Sequence, residues 1–382
     1  MKTFVQIVLS EDDGAVSGAE LRNVANLSDL SIMATGEVFS LTALPKSAQS
    51  TLAHTVREIS TAEIARLLKA LRLGKPDFVL LEGVALLEVA KAVRKEFPEI
   101  VIITDFHNVE SALLAENELA RLPGFLRRLA PLLTRRRLAA ALAADREIAT
   151  HSDLVWTCSS PDAELVRKFA PDTRTAVVPN PVPPWTRNAD GMPRHVEKCV
   201  LFVGHLGYPP NKRAVRSLCK KIMPLVQAEI KGAYLQVCGR RPNARLRDQL
   251  SAAGARLAVN PPDLAPFYAS AVATALPLHQ GGGTRIKAIE ALSIGCPIVA
   301  TAKAVAGLNL VPVQHYLPAE TPAEFARSLI LLMQDETARA ILVKTGKIFA
   351  MENFGPDIRQ NAMQKSLRNL FEKTGRSAAP GT

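Results

Sequence analysis

The sequence predicts an α/β chain of two doubly wound parallel sheets with a ligand cleft between them. Three observations carry this expectation. The chain's 382 residues exceed one ordinary domain, short apolar runs alternate with helical periods in both halves, and a polar stretch at 183–198 separates the two series.

In the first half, residues 1–9 read as a strand; they run into Glu11, Asp12 and Asp13 without a small-residue cleavage site, so they do not read as a signal peptide. A loop at 14–18 leads to a helix at 19–30 with apolar positions at Leu21, Val24, Ala25, Leu27 and Leu30. Ser17 is its candidate cap; Ser17 and Gly18 either let a substrate approach that helix end or form a plain connecting turn. Residues 37–44 form the second strand, and a helix at 49–72 ends at Gly74 with Pro76 as the stop. The continuous apolar runs 77–81 and 100–104, joined by a helix at 84–97, have the pattern of strands buried on both faces. The second run opens into Asp105, Phe106, His107, Asn108, Val109 and Glu110, polar chemistry at a strand's carboxyl end, where open α/β sheets bind ligands. His107 is a candidate catalytic residue, the alternative being a structural hydrogen-bonding histidine; Glu110 begins the next helix.

From Leu119 to Ala144 there is no acidic residue, while Arg121, Arg127, Arg128, Arg135, Arg136 and Arg137 alternate with leucines and Phe125. This is either a surface for anionic lipid or a solvated helical face whose leucines pack inward, with Pro131 interrupting the helix. Strands at 153–158 and 175–178 flank a helix at 161–170.

The second half restarts with a strand at 199–204, then His205 and a helix capped by Asn211, with Lys212 and Arg213 in its first turn. Cations beside the positive end of a helix dipole suggest a compensating anion, unless both point to water. Strands at 234–238, 255–259, 272–276 and 297–300 continue the alternation. Between the last two lies Gly281 to Leu292, which reads as glycine loop and helix. Three glycines permit close approach to a ligand, and with Thr284 as the cap the helix opens with free N–H groups beside Arg285 and Lys287, a site for a diphosphate. Glu290, a turn further on, is placed for sugar hydroxyls. An ordinary βα turn with solvated charges is the alternative. Residues 321–371 read as three helices broken near Asp335 and Glu336 and at Gly355 and Pro356, and 377–382 as a disordered end.

Composition narrows the function. No apolar run approaches a membrane span, and the five cysteines are odd in number, scattered and without metal-ligand spacing, so they read as reduced core residues with no structural zinc. A net charge of +11 implies an anionic partner. Nucleic acid is not expected, because the basic segment lacks interleaved aromatics and any binding module. Neither Gly204 to Gly207 nor Gly281 to Gly283 has the glycine spacing of a dinucleotide fold, which argues against a dehydrogenase.

Over nearly its whole length the chain resembles the GT-B glycosyltransferases, specifically the retaining glycosyl transferases group one, family four. The resemblance rests on Asp105 to Glu110; Ser152 to Val155 with Cys158 and Ser159; Val178 to Val182; Phe202 to Gly204 with Pro210 and Asn211; and Gly281 to Leu292 with Gly295 to Thr301. It implies two facing Rossmann-like domains, an acceptor domain at 1–182 and a nucleotide-sugar donor domain at 199–355, with a helix at 356–373 crossing back to the first and a tail at 374–382. It further implies donor contacts from His205, Asn211, Lys212, Gly282, Gly283, Thr284, Arg285, Lys287 and Glu290. His107 and Glu290 are the catalytic candidates, Ser17, Gly18 and Asn108 lie on the acceptor side, and no metal or other cofactor is expected. The implied partners are a nucleotide sugar, a saccharide or lipid-linked acceptor and, through Arg121 to Arg137, an anionic membrane surface. The expected place is the cytoplasm, with peripheral attachment to the inner face of the membrane as a further option, and the expected pathway is polysaccharide or glycolipid synthesis. Three positions depart from the family's pattern: Gly282 stands where a glutamate eight before Glu290 is common, His205 replaces an arginine, and the loop from Val259 to Leu264 carries two prolines. Gly282 and His205 motivate the alternative of a catalytically silent scaffold that binds nucleotide or a protein partner; charge alone motivates a third, nucleic-acid-binding reading.

Overall fold

A computed structural model describes residues 2–10, 18–45, 55–121, 130–189, 197–280 and 285–373. The chain forms two compact units, the first from Met1–Pro181 and Pro356–Thr382, the second from Val182–Gly281 and Arg285–Gly355.

The first unit holds strands β1 (Lys2–Leu9), β2 (Ala34–Leu41), β3 (Phe78–Glu82), β4 (Val101–Phe106), β5 (Leu154–Thr157) and β6 (Thr175–Val177), with helices α1 (Gly18–Met33), α2 (Thr61–Gly74), α3 (Leu87–Glu96), α4 (Glu110–Arg121), α5 (Ala130–His151) and α6 (Ser160–Phe169). All its strands are parallel, in the order β2-β1-β3-β4-β5-β6. From β1 the chain turns one way to β2 and then the other way to β3, so the switch point lies between β1 and β3. In β3 and β4 every residue is buried, as their unbroken apolar pattern requires.

Several boundaries differ from expectation. The second strand runs from Ala34 to Leu41, three residues earlier than expected, and follows directly on α1, which continues to Met33. Helix α2 starts at Thr61, where the Ser60 side chain accepts from the Glu63 N–H, a cap that outcompetes a longer helical reading. Pro131 lies within α5, near the start of its described span, and residues 122–129 before it lie outside the described residues.

The second unit contains β7 (Cys199–Val203), β8 (Tyr234–Gly239), β9 (Arg256–Val259), β10 (Ala273–Leu276), β11 (Ile298–Ala300) and β12 (Leu317–Pro318), again all parallel, ordered β12-β11-β10-β7-β8-β9. Its helices are α7 (Pro209–Ser217), α8 (Met223–Glu229), α9 (Ala244–Ala252), α10 (Ala265–Ser270), α11 (Ile286–Ile294), α12 (Pro322–Gln334) and α13 (Glu336–Phe354). Its switch point lies between β7 and β10. Residues Pro184–Ala189, inside the stretch read as a linker, form a 3-10 turn whose Trp185 stacks on Tyr268 with centroids 5.9 Å apart.

Helix α14 (Pro356–Lys373) returns to the first unit. Met363, Leu370 and Phe371 join Phe4, Phe78 and Trp156 in one buried cluster, and the Trp156 indole N–H donates to Ser366 Oγ at 3.0 Å. Each such fully buried apolar side chain stabilises the packing by roughly 1.5 to 3 kcal/mol.

Candidate active site

In the first unit, polar groups gather at the carboxyl ends of β3 and β4. Glu82 and Asp105 are register partners on these adjacent strands, which sets two buried carboxylates side by side. Such a pair requires positive charge and hydrogen bonds to remain ionised. Arg22, fully buried on α1, supplies a two-pronged pair to Asp105, Nε to Oδ2 at 2.6 Å and Nη2 to Oδ1 at 2.7 Å. Its remaining nitrogen donates to the carbonyls of Val178 and Pro179 and to Asn180 Oδ1. The Val178 to Pro181 motif thus presents its carbonyl oxygens to a guanidinium.

His107 follows β4, and its Nε2 lies 3.0 Å from Glu82 Oε2 and 3.6 Å from Asp105 Oδ2. Burial alone lowers its pKa, but the hydrogen bond to Glu82 and the charges of Asp105 and Glu82 outweigh burial and raise it. Burial likewise raises Asp105, and the Arg22 charge more than reverses this. Gly83, between Glu82 and the following turn, has φ of 100°, which only glycine adopts without strain, and a Cβ there would sit 3.7 Å from His107 Nδ1.

Glu82, Asp105 and His107 have ligand atoms within 4.8 Å of one another, a spacing open to a metal ion. Arg22 already engages both oxygens of Asp105, while Gln6 and Asn26 hold Glu82, so the cluster carries its own cation. Nearby, burial pushes Glu110 up to about 7, with Asp145 as a second cause, and pushes Asp145 up to about 6. Asp145 accepts from the Ser111 N–H at 2.8 Å, capping α4 from α5. Asn108 lies in the same turn as His107 and bonds Glu110.

In the second unit the polar groups follow β7, β8 and β10. Gly204 ends β7's run, and a Cβ on it would lie 2.9 Å from Asn211 Nδ2 and 3.2 Å from Lys287 Nζ, so its lack of a side chain makes their room. Asn211 is not the cap of α7 as expected: prolines 209 and 210 fill the first turn and Tyr208 takes the cap position. Asn211 is instead buried, donating Nδ2 to the His205 carbonyl at 3.0 Å and accepting from Lys287 Nζ at 3.0 Å.

Lys287 is half-buried, and desolvation draws its ammonium down to about 8 against the attraction of Glu290. Glu290 is 6% exposed; burial pushes it up to about 7, against the hydrogen bond it accepts from Tyr268 at 2.8 Å and the Lys287 charge. Burial lowers His205, and the charges of Arg240 and Lys212 lower it further. Its Nε2 is buried and has no hydrogen-bond partner. Several cations at the carboxyl edge of one sheet form an anion-attracting field.

Helix α11 is not capped by Thr284: its cap residue is Arg285, in the left-handed conformation with φ of 50°. Ser17, Gly282, Gly283 and Thr284 lie outside the described residues, as do Asp12, Asp13 and the end 374–382, whereas Gly18 opens α1. Arg22, Asn26, Glu82, Tyr268 and Arg240 had not been singled out in the sequence. The signal for the first two was a polar series at Arg22, Asn26 and Asp29, spaced to share one helix face.

Residues 197–335 match the family described as glycosyl transferases group 1. No curated protein sequence matches the chain. Among solved structures, sucrose-phosphate synthase from Thermosynechococcus elongatus superposes with a TM-score of 0.68 at 16% identity, covering 98% of this chain and 100% of its own. Anabaena HepE in complex with UDP and glucose gives 0.68 at 13% identity, with 97% and 100% covered. A glycosyltransferase from Rickettsia africae gives 0.64 at 12% identity, with 98% and 99% covered. At these identities the likeness carries the fold, while the family match carries the domain that holds Asn211, Lys287 and Glu290. Residues 197–335 therefore match the group 1 glycosyltransferase family, within a chain whose fold is that of these glycosyltransferase structures.

Proposed function

We propose that the protein is a retaining glycosyltransferase that moves a sugar from a nucleoside diphosphate to a saccharide or lipid-linked acceptor, in polysaccharide or glycolipid synthesis. The observation that carries this reading is the pair three residues apart on α11, half-buried Lys287 drawn down to about 8 and buried Glu290 pushed up to about 7. Each has a charged form that burial penalises, and a ligand with a diphosphate beside ribose hydroxyls would satisfy both. HepE in complex with UDP-glucose and Staphylococcus aureus MnaA with UDP support uridine nucleotides as the first to test.

The chemistry places negative charge on the departing diphosphate. Lys287, Lys212 and Arg240, with the N–H groups opening α11, are the fixed positive groups offered to that charge, and we propose that they act without a metal. Glu290 accepts from the ribose hydroxyls. On the first unit His107, whose pKa is raised by Glu82 and Asp105, is the group offered to a sugar hydroxyl. Ser17, Gly18 and Asn108 are proposed on the acceptor side, and Gly282, Gly283, Thr284 and Arg285 on the donor side.

A lipid-linked acceptor is supported by an apolar groove lined by Val109, Ala112, Leu138, Leu142, Leu165 and Phe169, with Lys168 at its edge. Arg135 and Arg136 on α5 are exposed and suit an anionic surface. Among the described residues no helix is long and apolar enough to cross a membrane, and we propose a cytoplasmic protein attached peripherally to the membrane's inner face. The test is calorimetric titration with UDP, ADP, GDP and their sugars, followed by assay of sugar transfer. Binding of one nucleotide with transfer supports the reading; binding without transfer to any acceptor supports the silent scaffold motivated by His205 and Gly282.

A further inference from the structure

Helix α14 brings a second buried arginine to the polar cluster of the first unit. Arg359 is 1% exposed; its Nε donates to Asp29 Oδ2 at 2.9 Å and Nη1 donates to the Pro179 carbonyl. These contacts anchor the helix. The third does something else: Nη2 donates to Asn26 Oδ1 at 2.8 Å.

We propose that Arg359 is a positioning residue for His107, acting through Asn26 and Glu82. An amide has one accepting end and one donating end. With Oδ1 of Asn26 held by a guanidinium, which can only donate, Nδ2 must face the carboxylates. It lies 3.0 Å from Glu82 Oε1, 3.2 Å from Glu82 Oε2 and 2.8 Å from Asp105 Oδ2. The reversed amide would set its oxygen against two carboxylates and its hydrogens against Arg359. Glu82, fixed by Asn26 and by Gln6 Nε2, then presents Oε2 to His107 Nε2 at 3.0 Å. The ring therefore carries a proton on Nε2 and its orientation is set, with Nδ1 over Gly83.

The relay runs through three elements: Arg359 on α14, Asn26 on α1 and Glu82 on β3. The other groups around His107 are Asn23 on α1, whose side-chain amide nitrogen donates to Glu82 Oε2 at 2.9 Å and lies 3.0 Å from His107 Nε2, Asp105 on its own strand, Arg22 on α1, Glu110 at the start of α4, and Cys158, whose thiol lies 3.4 Å from the His107 carbonyl. Asn23 reaches only Oε2 of Glu82, so that Oε1 is held by Asn26 and Gln6, and none of the remaining groups donates to Glu82. Arg22 is committed to Asp105 and the Val178 to Asn180 segment, and Glu110 is a carboxyl that cannot donate when ionised.

The kinetic part of this inference rests on the glycosyltransferase reading; the spectroscopic part does not. The full chain, labelled with nitrogen-15 at histidine, allows exchange of the His107 Nε2 proton with solvent to be followed by NMR. Arg359→Lys keeps a cation beside Asp29 but cannot serve Asp29, Pro179 and Asn26 together; Asn26→Ala breaks the relay at its centre. Both should speed exchange of that proton by about tenfold or more, as expected when a hydrogen bond opens locally. Asp29→Asn, which keeps the link from Arg359 to Asn26, should leave the exchange unchanged. In the transfer assay Arg359→Lys should lower kcat while leaving nucleotide affinity as in the wild type. Wild-type exchange at His107 in folded Arg359→Lys and Asn26→Ala would overturn the relay and leave Arg359 as a helix anchor. If the wild type transfers no sugar, the glycosyltransferase reading fails, and the exchange rates still decide the relay.

Discussion

The Tyr268 hydroxyl donates to Glu290 Oε2 across 2.8 Å with both groups buried, and Trp185, from the 3-10 turn near the start of the same unit, stacks on the Tyr268 ring. This fixes one oxygen of Glu290 and leaves the other for a ligand. Glu290→Ala should weaken nucleotide binding by on the order of 1 to 3 kcal/mol, and Tyr268→Phe by about 1 kcal/mol. Titration calorimetry on both variants checks this, and unchanged affinity in a folded Glu290→Ala protein removes Glu290 from the site.

Glu290 also predicts how the unliganded protein responds to pH. Its folded pKa, about 7, stands above the ordinary 4.5, so the folded state binds the proton more tightly than the unfolded state. The contribution is fully present below the unfolded value and is lost as pH rises through about 7. The shift corresponds to roughly 3 kcal/mol. Urea unfolding at pH 5 and pH 8 should show that loss in the wild type, and Glu290→Gln should make it smaller while weakening the nucleotide, the remainder coming from Glu110 and Asp145, whose carboxyls burial raises in the same way.

How much of this was legible in the sequence depends on what burial does to polar residues. The buried strands β3 and β4 declared themselves by unbroken apolar runs, and the three last helices by Thr321, Asp335 and Pro356 at their starts. The face of α1 did not. Its apolar positions suggested that Val24 faces the core, yet Val24 is 64% exposed while Arg22, Asn26 and Asp29 point inward. A polar helix stripe ordinarily faces water; here the carboxylates at the ends of β3 and β4 and the carbonyls of Val178 and Pro179 reverse that preference. Those partners are 56 to 157 residues away, and no local pattern announces them. Tyr268 was hidden similarly, in a short helix whose only visible feature was apolar character.

Lys287 should read the second phosphate. Replacing it with methionine should reduce the preference for UDP over UMP by about tenfold, the loss of one charge-assisted contact. Because the positive groups are protein side chains and helix N–H groups, transfer should survive EDTA; complete loss restored by magnesium or manganese would contradict the metal-free reading.

The arginines of α5 are not equivalent. Arg137 donates to Glu118 at 2.9 Å, whereas Arg135 and Arg136 are exposed. Near an anionic surface each free arginine contributes about 1 kcal/mol, screened by salt. Replacing Arg135 and Arg136 together with glutamine should lower sedimentation with anionic liposomes and leave nucleotide affinity intact, while Arg137→Gln should alter liposome binding little. If the wild type ignores such liposomes at low salt, α5 is a solvated face and a soluble acceptor takes its place.

The central claim is that Lys287 and Glu290 hold a nucleotide sugar that this protein uses. The measurement that addresses it most directly is transfer from UDP-, ADP- and GDP-sugars, in EDTA, with the anomeric configuration of the product read by NMR. One donor should be consumed with retention of configuration, and Glu290→Ala and Lys287→Met should each lose that turnover. Turnover that persists at the wild-type rate in both variants would contradict the account.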